Sequence, residues 1–176
     1  VFITLMIAKG VEKSVRTLFF CRYFLAIINL LIYIKKDGDD EMRDPRLEQF
    51  AEVITGYSVD VQPGENVLIE MIGIEDPEFL KVLIEKVYEK GGNPFYNIKD
   101  PRANRVFLKQ ANEAQLKHQI EVDLVQMKKM DGYIAVRGGD NITELSDVPS
   151  EKINLYNKLY REVLDERVNN TKWVIM

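Results

Sequence analysis

From residue 44 onward the chain alternates between two hydrophobic periodicities, one helical and one extended, and this alternation limits the fold more than any other feature. Asp44-Pro45 has the form of a helix start, an N-cap followed by proline in the first turn, and Leu47, Phe50, Ala51, Ile54, Tyr57 and Val61 then recur at helical spacing. After the Pro63-Gly64 turn, Val67, Leu68, Ile69 and Glu70 form a short run of the type that becomes a buried parallel strand. Asp76-Pro77 repeats the helix start, with Phe79, Leu80, Leu83, Ile84, Val87 and Tyr88 on the apolar side and Gly91-Gly92 as the stop. A short strand follows at 94–98. Asp100-Pro101 opens a third helical region that breaks near Asn112, continues to residue 129, and turns Val106, Leu108, Leu116, Ile120, Leu124 and Met127 inward. A third strand at 132–136, a helix at 150–168 with Ile153, Tyr156, Leu159, Tyr160, Val163 and Leu164 on its apolar side, and a fourth strand at 172–176 complete the pattern.

The resulting order is αβαβαβαβ. Helices that separate successive strands force parallel pairing through right-handed crossovers. The expected fold is therefore α/β, an open, mostly parallel sheet of about four strands with helices on both faces. The fourth strand finishes on Val174-Ile175-Met176 with no polar turn behind it, which leads to the expectation that the fold is truncated there.

Residues 1–41 do not share this pattern. The stretch 17–34 is almost wholly apolar, broken by Arg22 and Asn29, with Lys9, Lys13 and Arg16 before it and Lys35 and Lys36 after it. Its length is near what a spanning helix needs, and Arg22 lies close enough to one end to reach the interface, so a membrane anchor is one reading. A signal segment is a second, although no small-x-small cleavage pattern precedes Lys35. The third is translated upstream sequence, since the chain begins with Val1 and Met42 directly precedes the patterned region, and a fourth is a helix packed on the α/β domain. The expected organisation is thus an apolar and basic leader at 1–41 and an amino-terminal α/β domain at 42–176, with membrane contact only if the leader is genuine.

Composition removes several classes of function. With 30% charged residues and a net charge of -4, the chain lacks the basic excess that phosphate neutralisation requires, so nucleic acid is not an expected partner. Its single cysteine, Cys21, cannot form an internal disulfide and sits in apolar sequence, where it reads as a small hydrophobe. The only histidine, His118, has Glu121 three residues on and no third ligand on its face, too few for a catalytic zinc site. Asp37, Asp39, Glu41 and Glu48 fall at calcium-loop positions, but Met42 stands where that loop needs glycine and Asp44-Pro45 already starts a helix. Gly138-Gly139 follows the third strand, where doubly wound sheets bind ligands, yet it matches no phosphate-binding motif and reads as a turn. Asp44, Asp76 and Asp100 are accounted for as caps. No catalytic, cofactor-binding or metal-ligating residue is assigned from the sequence.

An ordered set of segments nevertheless resembles one family. Asp44-Pro45-Arg46-Leu47, Tyr57-Ser58-Val59 and the run from Val61 through Pro63-Gly64-Glu65-Asn66 to Glu70 are similar to the opening of the thermophilic metallo-aminopeptidases of the aminopeptidase T and S type. Gly91-Gly92-Asn93-Pro94, Asp131-Gly132-Tyr133 through Arg137, Asn141 and Lys172-Trp173 follow in the family's order. The resemblance implies a cytoplasmic, homodimeric hydrolase that removes N-terminal residues from peptides with two divalent metal ions, zinc, cobalt or magnesium, held in a larger catalytic domain. None of those ligand positions is present in this chain, which implies that the fragment binds no metal and is inactive alone. The alternative expectation is a stand-alone, non-catalytic α/β module that binds a ligand or partner at the carboxyl edge of its sheet.

Overall fold

The computed structural model describes residues 44–139, 141 and 143–176; the leader at 1–41, with Cys21, the apolar 17–34 stretch and Asp37, Asp39 and Glu41, lies outside them. Residues 44–176 form one compact unit. Its helices begin where the aspartates place them. The Asp44 carboxylate accepts from the Arg46 backbone N–H and starts α1 (Pro45–Val53), and the Asp100 carboxylate accepts from the Arg102 N–H and starts α3 (Pro101–Gln110). Asp76 accepts from the Glu78 N–H at 2.9 Å, although α2 (Glu78–Glu89) begins one residue later than the other two relative to its aspartate. Asn112, whose side chain accepts from Gln115 N–H, ends the α3 region and starts α4 (Glu113–Met127). The last helix is α5 (Ser150–Asn170).

Four strands, β1 (Asn66–Ile72), β2 (Asn93–Lys99), β3 (Gly132–Arg137) and β4 (Lys172–Ile175), pair in the order β2-β1-β3-β4, every pair parallel. Strand alternation divides the core in two. Val67, Ile69 and Met71 of β1 join Ile134 and Val136 of β3 against α1 and α2, including Ala51, Leu80, Leu83 and Val87. Leu68, Tyr133 and Ala135 face the other way, against Ile120 and Met127 of α4 and Val163 of α5. Each large aliphatic side chain buried in this manner contributes about 1.5–3 kcal/mol, and the central strands are apolar on both faces because both faces are covered. A smaller cluster of Leu108, Ala111, Leu116 and Val148 ties α3 and the segment before α5 to this second layer.

Several side chains expected inside are not. Val106 is 62% exposed, as α3 packs through Leu108 instead; Tyr57 is 86% exposed and Phe50, Tyr88 and Leu164 also reach solvent. The Tyr57 correction has a backbone cause. Beyond Val53 the helix widens into a π-helical turn, Ile54–Ser58, in which Val59 N–H donates to Ile54 O, so positions counted at α-helical spacing rotate off the buried stripe. That turn buries Thr55, whose hydroxyl donates to Ala51 O at 2.8 Å. Among the described residues no helix is long and apolar enough to cross a membrane.

Candidate functional site

The sheet reverses its winding between β1 and β3. β1 leaves toward α2 on one face, whereas β3 leads to α5 on the other, so the carboxyl ends of these neighbours part and open a crevice, the place where open α/β sheets bind ligands. Two glycine sites permit the close passage. Gly73 lies at φ 69°, and a Cβ there would run into the Gly138 carbonyl oxygen; Gly139 lies at φ 129°. The Gly138-Gly139 pair therefore does serve as the exit turn of β3, with Gly138 N–H donating to Ile72 O.

Beside the crevice, on the α3, α4 and α5 side, is a cavity of about 550 Å³. Its walls combine apolar and aromatic groups, notably Ile72, Phe107, Leu145, Tyr156 and Tyr160, with Glu70, Lys99, Asp123, Arg137 and Arg167. Strand alternation carries Glu70 to this face: flanked by Ile69 and Met71, which point toward α2, it shares the side of Leu68. Glu70 is only 5% exposed, and both its oxygens are engaged. Oε1 pairs with Lys99 Nζ at 2.6 Å, and Oε2 accepts from the Tyr133 hydroxyl at 2.6 Å.

Arg167, 3% exposed, lies over the Tyr133 ring at 4.1 Å and donates through Nη2 to the Tyr160 hydroxyl at 2.9 Å, while its buried Nε has no partner among the described residues. Tyr156 stacks on Tyr160 with ring centroids 5.4 Å apart. The loop before α5 is fastened at the rim by Asp147, which pairs with both Arg105 and Lys109 of α3.

Burial and charge set the protonation of this network. Burial works to raise the Glu70 carboxyl, but the Lys99 charge and hydrogen bond together with the Tyr133 hydroxyl outweigh it and hold Glu70 below its ordinary value. Burial likewise works to lower Lys99, and Glu70 reverses the direction. Burial, then Glu70, pushes the Tyr133 phenol up; Tyr156 and Tyr160 are raised by burial first as well. The phenols are thus neutral hydrogen-bonding groups near pH 7, and each oxygen of the Glu70 carboxylate already accepts one short hydrogen bond.

The donor set does not fit a divalent metal. Glu70 is already neutralised by an ammonium, Asp100 is turned to Arg102 at 3.0 Å, and no group of three or more His, Cys, Asp or Glu among the described residues is placed to hold an ion. His118 stands on the outer face of α4, its side chain 83% exposed, with Nδ1 3.5 Å from Glu121.

A family model described as thermophilic metalloprotease (M29) matches residues 43–175. The chain belongs to that family. Among solved structures it is similar to wild-type AmpT from Thermus thermophilus, at 25% identity and a TM-score of 0.55. That alignment covers 74% of this chain and 35% of AmpT, so the chain spans about a third of this M29 relative's length. A putative transcription regulation repressor of the LacI family from Corynebacterium glutamicum aligns over 74% of this chain and 59% of its own at 9% identity, with a TM-score of 0.32, too low to indicate a shared fold. No curated protein matches the chain by sequence.

The sequence read Gly138-Gly139 as a turn and assigned no site there, and it missed Gly73, the pair's partner across the switch point, and the whole Glu70 network. Its signals were present. Glu70 is a charge in a strand buried on both faces, and Arg167 continues the stripe of Tyr156, Tyr160 and Val163 at helical spacing, where an aliphatic side chain is the ordinary occupant.

Proposed function

We propose that residues 42–176 are the amino-terminal α/β portion of a metal-dependent aminopeptidase, an enzyme that hydrolyses N-terminal residues from peptides, and that this portion is inactive alone. The observation that carries the reading is the M29 match across 43–175 in a chain whose described side chains do not fit a metal. M29 membership implies divalent metal use in the complete enzyme. In this reading two ions, zinc, cobalt or magnesium, sit in a second domain and supply an activated water and a polarised scissile carbonyl. The complete protein is a cytoplasmic homodimer, and the leader at 1–41 lies outside the enzyme fold.

The test is release of amino acids from unblocked peptides by the purified chain with zinc, cobalt or magnesium, together with equilibrium dialysis against each metal. Neither turnover nor stoichiometric binding is expected, since fewer than three suitable ligands converge. Metal-dependent release that vanishes in His118→Ala overturns the assignment.

A further inference from the structure

One of the charges lining the cavity beside the switch point, Arg167, is buried and short of acceptors. Three cations and three carboxylates contribute to the cavity walls: Lys99, Arg137 and Arg167 against Glu70, Asp100 and Asp123. Glu70 is neutralised by Lys99 at 2.6 Å, and Asp100 by Arg102, from outside the cavity, at 3.0 Å. Asp123 accepts from Gln119 at 3.2 Å. Arg137 and Arg167 have no ion pair among the described residues.

Arg167 is the unusual member. The residue is 3% exposed, and of its N–H groups one, on Nη2, has a described partner, the neutral Tyr160 hydroxyl. Nε is buried without an acceptor. A buried cation held by a ring face and one phenol forgoes the charge-assisted bonds that normally offset its desolvation, whereas a carboxylate matches the guanidinium fork in shape and charge. Beside it the walls are apolar and aromatic, from Ile72, Phe107, Leu145 and Tyr156.

We infer that this cavity is a binding site for a small organic monocarboxylate with an apolar body, the carboxylate accepting from the Arg167 guanidinium and the body lying against Phe107, Leu145 and Tyr156. A monoanion answers Arg167, whereas the ammonium of a zwitterion would lie among Lys99, Arg137 and Arg167. The inference does not rest on the family reading.

Titration calorimetry of the full chain with 3-phenylpropanoate, its neutral amide 3-phenylpropanamide and L-phenylalanine tests this. Saturable one-to-one binding of the acid is expected, weakened about tenfold or more in the amide and in Arg167→Met. Ala103 lines the cavity from the exposed side of α3, and Ala103→Trp should fill the opening and abolish binding without altering thermal unfolding. If Arg167→Met does not fold, the amide and Ala103→Trp decide the matter. No saturable binding by the unaltered chain, equal affinity for acid and amide, or binding indifferent to Ala103→Trp overturns the proposal. Tighter binding of L-phenylalanine than of the acid overturns the monoanion assignment, since the ammonium would then be drawn to Asp123.

Discussion

Glu70 ties the stability of the central strand to pH. Its folded pKa lies below its ordinary value because Lys99 and Tyr133 outweigh burial, so it contributes stability that is present above the unfolded value of about 4.3 and is lost as pH falls through the folded value. Glu70→Gln should lower stability by about 1–3 kcal/mol at neutral pH and give a shallower acid limb. Urea midpoints measured between about pH 3 and pH 7 check both, and an unchanged pH slope in the variant counts against the network. Gly73→Ala is expected to cost about 1–3 kcal/mol, since it combines a left-handed φ of 69° with a collision against the Gly138 carbonyl. A urea midpoint equal to that of the unaltered chain contradicts that account. At this scale the sequence was least informative: nothing local marks Gly73 for a partner 65 residues away in β3's exit, and the Lys99, Tyr133 and Arg167 contacts to one another or to Glu70 come from four separate elements.

Elements were legible where the local signal and the tertiary environment agree. The aspartate caps at Asp44 and Asp100, the break at Asn112 and all four strands follow from side chains that satisfy orphan amides or present apolar groups to two covered faces, whereas at Asp76 the cap position falls on Pro77. Errors arose where periodicity is a poor guide to depth. Val106 keeps helical spacing, yet α3 packs only through Leu108 and its neighbours, and the π-helical turn at Ile54–Ser58 shifts Tyr57 outward by one extra residue. Because Asn112 both ends one helix region and caps α4, Asn112→Ala should lower stability by about 1 kcal/mol. The urea midpoint should fall with the slope unchanged; no shift would mean that packing of Leu108, Ala111 and Leu116, rather than the cap, fixes the break.

For the molecule as a whole, both cores of the α/β unit are built from residues 51–176, and the family match begins at residue 43. Deleting residues 1–41 is therefore expected to leave the thermal unfolding of the α/β unit unchanged, and a large drop in midpoint would show that the leader packs on it. The cavity, by contrast, was legible only as a location, the carboxyl edge of a doubly wound sheet, because its chemistry depends on how six elements converge. The central claim is that this chain supplies the scaffold and another part of the M29 fold supplies the metal chemistry. Its most direct test is metal-dependent release of N-terminal residues by the chain co-expressed with the portion of AmpT beyond the aligned third. Activity is predicted only when both parts are present; release by the chain alone, or equal release by the AmpT portion without it, contradicts the claim.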